Sequence, residues 1–328
     1  MRSCGFYCVA NAPHFPGAVA LLNSLRLLGH HEPFTLVDAG LTDDQRDLLS
    51  GHVELLSAPA DVPPVHLAPY GPRLRPADVQ VVLDADVIAV RPLTDLIDAA
   101  TAGCLVGFVN DPPNHDRFFP EWADVLGLGS MRQRAYLNAG QFVIPGSLNA
   151  RVLGHWIDGQ ETVGMRGTRY GRKARLSDPF YFADQDVVNA LLSATLDDDE
   201  LDIREHRLAP HPPFRGLRLI DSNALACAYP DRTRPYFLHH TMGKPWLQAT
   251  RRTIYSTLLS RLLLAPDVTV RLDPRQVPLR LRPGRLGSVD LRRADIQARL
   301  KADARRRLGT FGIRTRLADR RRPFGVQP

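Results

Sequence analysis

The strongest constraint on this chain is the alternation of two hydrophobic periodicities through its first hundred residues. Gly5 to Ala10 is a continuous apolar run of strand length, and Pro16 to Leu28 carries apolar residues at helical spacing. Phe34 to Val37 is a short strand that stops at Asp38-Ala39-Gly40, a turn composition. Thr42 with Gln45 three positions on forms a capping box, and Asp43 and Asp44 put negative charge in the first turn of the helix it opens. Val53 to Leu56, Val79 to Leu83 and Cys104 to Val109 are further strands. A proline-rich connection from Pro59 to Pro76 and a helix over Leu93 to Ala100 separate them. Strands separated by helices predict an α/β domain built on a parallel, sandwiched sheet. Ligands of such sheets bind beyond the carboxyl ends of the strands, where Asn11, Asp84, Asp86 and Asp111 all fall.

Beyond Phe118 the pattern is more mixed. Tyr136 to Ile144 reads as a strand, Ser147 to Asp158 and Asp184 to Leu196 as helices, and the polar stretch Gly164 to Arg175 as a mobile loop. Tyr236 to His239 resumes strand character and Trp246 to Leu264 reads as a helix. Basic, proline-containing segments follow, with one helix over Leu291 to Leu308.

Composition narrows the class. A 44% hydrophobic content supports a sizeable core. No apolar run approaches the roughly 20 residues needed to span a bilayer. The first ten residues lack the apolar stretch and cleavage site of a signal peptide, so a cytoplasmic location is expected. The four cysteines are scattered without metal spacing and read as buried thiols.

The net charge of +7 conceals an asymmetry: from Arg251 on there are 20 basic against 6 acidic residues, while the rest has 22 against 29. The chain therefore divides into an acidic body, residues 1–250, and a basic extension, residues 251–328. Such an extension suits an anionic membrane surface or an acidic partner. Its few aromatics and the absence of a recognition motif argue against nucleic acid. Arginine bias throughout the chain, 39 Arg against 3 Lys, accounts for part of the charge.

Four constellations bear chemistry. Asp84 and Asp86, at i and i+2 after a strand, repel each other unless a cation or proton lies between them, and a hard divalent ion suits the pair. His239-His240-Thr241-Met242-Gly243-Lys244-Pro245-Trp246 combines a strand-end histidine with a lysine that can meet a phosphate. Imidazole added to carboxylates favours Mn²⁺. Tyr136-Leu137-Asn138-Ala139-Gly140 ends in small residues. Asp184-Gln185-Asp186 opens a helix and places a carboxylate and an amide at one strand-to-helix junction. Taken singly, these read as turns and helix caps.

Taken in order, they resemble glycosyltransferase family 8, the glycogenin-like and bacterial lipooligosaccharide galactosyltransferase-like enzymes. The match runs from about Phe6 to Trp246: first strand, helix and Asp-Ala-Gly turn, then Leu-Asp-Ala-Asp, Asn-Ala-Gly, Asp-Gln-Asp and His…Lys-Pro-Trp. The resemblance implies a GT-A fold, a central mixed and mostly parallel sheet flanked by helices. It also implies retaining transfer of a hexose from a nucleotide-diphosphate sugar, UDP-hexose foremost, to a hydroxyl of a glycan or glycoconjugate.

By the same resemblance Asp84, Asp86 and His239 would bind Mn²⁺ or Mg²⁺, and Lys244 and Gly243 would meet the diphosphate. Asn138, Asp184 and Gln185 would face the donor sugar, together with Asp111, Ala139 and Gly140, while Ala10 and Asn11 would lie under the base. The histidine-to-lysine spacing is one residue shorter than in the family, which leaves His240 open as the ligand. His239 is favoured because it ends a strand. Asn11-Ala12-Pro13 replaces the acidic residue usual after the first strand, which leaves the base open. A sugar-nucleotide-forming nucleotidyltransferase and a non-catalytic sugar-nucleotide-binding protein are the alternatives. The first lacks a glycine-rich basic loop after the opening strand.

Overall fold

The alternation of periodicities becomes a sheet with helices packed on both of its faces. The computed structural model describes residues 3–300 except 113, 115, 165–176, 183, 242, 286, 288, 291, 294, 295, 298 and 299. The first half comprises β1 (Cys4–Ala10), α1 (Phe15–Leu27), β2 (Phe34–Asp38), α2 (Asp43–Leu49) and β3 (Glu54–Ser57). It continues with α3 (Tyr70–Leu74), β4 (Val79–Leu83), β5 (Val87–Ala89), α4 (Thr94–Thr101) and β6 (Leu105–Val109). The second half adds α5 (Glu121–Leu126), β7 (Leu137–Pro145), α6 (His155–Thr162), α7 (Asp184–Thr195) and β8 (Leu201–Arg204). Last come β9 (Arg218–Asp221), β10 (Ala226–Ala228), β11 (Phe237–His239) and α8 (Ile254–Leu264).

Seven strands form one sheet in the order β3-β2-β1-β4-β7-β6-β8. β1, β2, β3 and β4 run parallel, and β7 runs antiparallel to both of its neighbours, so the sheet is mixed. Each inner strand is buried on both sides and sends alternate side chains to opposite layers. Phe6 and Val81 enter a core shared with Leu21, Leu22 and Leu25 of α1 and Leu258 and Leu262 of α8. Tyr7 and Val82 enter the opposite core with Phe142, Trp156, Val187 and Leu191.

Two expected helices differ in extent. The one read over Trp246 to Leu264 begins only at Ile254, where Thr253 and Ser256 form a reciprocal capping box. The residues before it serve another purpose. Trp246 donates its indole N–H to the Pro13 carbonyl at 2.8 Å and lies so close to α1 that a Cβ on Gly17 would meet its ring at 2.7 Å. The helix over Ser147 to Asp158 is broken into a 3₁₀ turn, a π turn over Ala150–Gly154 and α6. The expected loop from Gly164 to Arg175 and helix from Leu291 to Leu308 lie largely outside the described residues.

The first part of the basic extension packs into the main core. Val270, Leu272, Val277 and Leu281 are buried beside α1 and α8. Buried Asn23 of α1 holds this segment in place. Its Nδ2 donates to the Leu262 and Val270 carbonyls, both at 2.7 Å, and its Oδ1 accepts the Val270 N–H at 2.9 Å. Replacing Asn23→Ala strands these three backbone groups in an apolar layer. A loss of about 2–4 kcal/mol is expected, read as a lower denaturant midpoint. A midpoint equal to the parent protein would show that this clamp is not structural.

Candidate functional site

The site is built where β4 ends and the sheet changes direction. Asp84 and Asp86 converge because the chain reverses between β4 and β5, and not because they share one face of an extended strand. The Asp84 N–H donates to the Gly140 carbonyl at 3.0 Å, and the Val87 N–H closes the turn on the Asp84 carbonyl at 3.1 Å. β5 then pairs antiparallel with β11, setting His239 opposite Val87. That short ribbon brings His239 to within contact of Asp84 and Asp86, 155 and 153 positions earlier in the chain.

His239 Nε2 lies 3.0 Å from Asp86 Oδ1 and 3.5 Å from Asp84 Oδ2. Among the described residues this is the one group of three whose ligand atoms converge tightly enough to hold a metal ion. Cis ligands of an octahedral ion with bonds of ~2.1 Å stand about 3 Å apart, so the donor set and its spacing fit a hard divalent cation. Gly140 completes the cradle: a Cβ there would fall 2.5 Å from Asp84 Oδ2 and from His239 Cε1. His240 turns the other way, its ring packed 4.8 Å from Tyr255 and 6.2 Å from Phe214. Its N–H bonds the Asp86 carbonyl at 3.0 Å.

Lys244 reaches the same point, its ammonium on Asp86 Oδ2 and 2.7 Å from the His240 carbonyl. The two carboxyls are driven apart in pKa. Burial raises that of Asp86, but Lys244 and His239 outweigh it and hold the group well below the usual carboxylate range. Desolvation and then the charge of Asp86 raise that of Asp84. Half of the Asp84 side chain is open to solvent, so the Asp86 charge is the firmer of these two causes.

The start of α7 faces this cluster across β7. Gln185 Oε1 accepts the Ala139 N–H at 3.0 Å. Asn138 Oδ1 accepts the Gly140 N–H at 2.9 Å, and its Nδ2 donates to Asn110 Oδ1 at 3.2 Å. The Asp184 carboxyl is buried, and burial followed by the charge of Asp84 pushes it well above the usual range. Asp111 lies at the cluster's other edge, 3.9 Å from His211 Nδ1. Asn11 caps a 3₁₀ turn by accepting the His14 N–H at 3.2 Å, and the Ala10 carbonyl accepts the Ala39 N–H at 2.9 Å.

Several residues position the site in ways that the sequence motifs do not reveal. Asp186 is fully buried and gripped by Arg117 at 2.6 and 3.0 Å, the Tyr136 hydroxyl at 2.7 Å and the Phe182 N–H at 2.6 Å. This clasp fixes the α7 start that carries Asp184 and Gln185. Asn189 meets both backbone groups of Leu137, accepting at 2.7 Å and donating at 2.9 Å, which ties α7 to the edge of β7. His206, His211 and His239 form an edge-to-face row with successive ring centroids 5.0 Å apart. Burial, followed by the neighbouring His239, lowers His211 to about 2, so its imidazole stays neutral. The legible signal was a polar residue inside an apolar run: Gln141 before Phe142-Val143-Ile144.

The chain matches no protein-family model and no curated protein sequence. Solved structures do resemble it. An active-site mutant of LgtC is 16% identical over 83% of this chain and 98% of that one, with a TM-score of 0.52. The apo structure of the bifunctional glycosyltransferase WbbM is 13% identical over 81% of this chain and 50% of that one, at 0.53. The glycosyltransferase GlyE of Streptococcus pneumoniae TIGR4 is 14% identical over 80% of this chain and 61% of that one, at 0.50. The central mixed sheet with flanking helices, shared with these enzymes, is the GT-A fold.

A cation at Asp84, Asp86 and His239 competes with protons. A carboxyl raised above its ordinary value, as at Asp84, takes up a proton at higher pH than a free aspartate does. Asp86 stays ionised through the same window. The expected outcome is Mn²⁺ affinity that weakens steadily as pH falls from about 8 toward 5. Asp84→Asn is expected to weaken Mn²⁺ binding, and parent-like affinity in that variant would exclude Asp84 as a ligand.

Proposed function

We propose that this chain, which has the GT-A fold, is a metal-dependent retaining glycosyltransferase. It moves a hexose from a nucleotide-diphosphate sugar, UDP-hexose foremost, to a hydroxyl of a glycan or glycoconjugate. The observation that carries this reading is the convergence of Asp84, Asp86 and His239 with Lys244 at the carboxyl edge of the sheet. The resemblance to LgtC, WbbM and GlyE, all glycosyltransferases, supports it.

A divalent cation in this cradle, Mn²⁺ by its mixed oxygen and nitrogen donors, supplies positive charge against the departing diphosphate. Lys244 adds a second positive charge at the same point, where negative charge develops as the sugar–phosphate bond breaks. Gly140 keeps a side chain out of this face, and Gly243 precedes Lys244 beside the diphosphate. Asn138, Ala139, Asp184, Gln185 and Asp111 line the region that receives the sugar, and Ala10 and Asn11 the region that receives the base.

Retention by two displacements needs an ionised carboxylate nucleophile. Gln185 is an amide tied to the Ala139 N–H. Asp184 holds its proton more tightly than an ordinary aspartate, which suits it to donate a hydrogen bond to a sugar hydroxyl and not to attack. The same-face route follows. The acceptor oxygen bonds to the anomeric carbon as the bond to the phosphate oxygen breaks, and a phosphate oxygen takes the acceptor proton.

Incubation with UDP-hexose and Mn²⁺ is expected to release UDP slowly even without acceptor. Asp86→Asn lowers this release at least about 100-fold with the circular dichroism spectrum unchanged. Parent-like release by that variant would remove Asp86 from the site. If no UDP- or GDP-sugar is hydrolysed and no nucleotide binds with metal, the transferase reading falls.

The end of the basic extension supports a second part of the proposal, a peripheral position on the cytoplasmic face of an anionic membrane. No helix among the described residues is long and apolar enough to cross a membrane. Val289, Ile296 and Leu300 are exposed and fall seven and four positions apart, a helical spacing in the sequence, with Arg292 and Arg293 among them. Each basic residue at such a surface contributes about 1 kcal/mol. Truncation after Pro283 keeps the packed Leu281 and is expected to abolish sedimentation with anionic vesicles. Unchanged sedimentation would exclude this segment as the anchor.

A further inference from the structure

Gln141 sits on β7 with no exposed surface, directly behind the candidate metal cluster. Its side-chain nitrogen lies 2.5 Å from His239 Nδ1, while its carbonyl oxygen is buried without a hydrogen-bond partner. It interrupts an apolar run: Phe142, Val143 and Ile144, all buried, follow it along the strand. A buried amide with one of its two polar ends unmatched is uncommon and calls for a cause.

The cause lies in the two tautomers of His239. With the amide nitrogen donating to Nδ1, the imidazole proton must sit on Nε2, where it bonds Asp86 Oδ1 at 3.0 Å. That proton occupies the direction a cation needs. Turning the amide over exchanges nitrogen and oxygen without changing the shape of the side chain. The carbonyl then accepts the Nδ1 proton, and the Nε2 lone pair faces Asp84 and Asp86. Two carboxylates and a lone pair pointing at one another are stable only around a positive ion. A glutamine serves both arrangements because it offers a donor and an acceptor from one position. A leucine serves neither, and an ionised glutamate serves only the second.

We propose that Gln141 is a positioning residue for the cation: its side-chain carbonyl takes the Nδ1 proton of His239 and turns the Nε2 lone pair toward Asp84 and Asp86. This rests on the metal-dependent reading of the site. A ligand histidine whose second nitrogen is held in this way gains both orientation and basicity. Gly140, next to Gln141 in the chain, clears the space in front of the same ring, so one strand supplies both the cradle and the support behind it.

The test is Mn²⁺ binding to the full chain, followed by the electron paramagnetic resonance signal of the free ion. Gln141→Leu is expected to weaken binding about 10- to 100-fold. Gln141→Glu, which keeps the acceptor, is expected to bind at least as tightly as the parent. A second readout follows the ring itself: ¹⁵N resonances of His239 should show the proton on Nδ1 once Mg²⁺ is added to the parent protein.

Parent-like Mn²⁺ binding by Gln141→Leu, or equal losses in the leucine and glutamate variants, would overturn the proposal and leave the metal site standing. A Mg²⁺-loaded His239 with its proton on Nε2 would do the same, and needs no variant to fold. Failure of the parent to bind Mn²⁺ at any pH would overturn both this proposal and the metal-dependent reading.

Discussion

Two carboxylates meeting in a reverse turn repel one another, and the carboxyl edge of the sheet is organised around that repulsion. Asp84 and Asp86 face the same small volume, so any fold that brings them there must supply compensating charge. Lys244 and His239 supply it, both from a segment that arrives more than 150 residues later. Asp86 is buried and strongly ionised as a result, whereas Asp84 is left the more easily protonated member of the pair. A site that divides two like groups in this way holds one fixed negative charge and one that a cation or proton can claim.

That convergence needs rigid supports on three sides. The antiparallel pair β5–β11 sets His239 in register with the turn. β7, reversed between β4 and β6, brings Asn138, Ala139 and Gly140 against the end of β4. The buried Arg117–Asp186 clasp, with Tyr136, anchors the start of α7 so that Asp184 and Gln185 face the cluster. A buried pair of this kind adds little net stability against an apolar replacement, but removing one partner is costly. Its contribution here is placement. The reversed strand is the central departure from a plain parallel α/β sheet, and it is the strand that carries Gln141.

Much of this was legible beforehand where the signal is local. The capping box at Thr42, the extent of α1 and the strands β1, β2, β4 and β6 follow from periodicity and end chemistry, and they agree with the structure within a residue or two. Trp246 to Thr253 was misread as helix because its apolar residues have helical spacing. Trp246 is buried instead by contact with Pro13 and Gly17 in a different part of the chain, and Leu247 beside it is exposed. The Arg117–Asp186 clasp and the Asn23 clamp were illegible for the same reason: each joins residues 69 or more positions apart, and neither partner is unusual in its own neighbourhood.

The sequence by itself determined the fold class, the carboxylate pair after β4 and the ordered motifs that resemble family 8, because each depends on residues close together in the chain. Only the tertiary structure shows that His239, and not His240, faces Asp84 and Asp86. Adjacent residues on a strand point to opposite sides, and the register of β11 on β5 selects which imidazole meets Asp84 and Asp86. It likewise decided that Gln141 stands behind that imidazole. A glutamine inside an apolar strand announces an unmet hydrogen bond, but its partner lies 98 residues away and exists only once the sheet has formed.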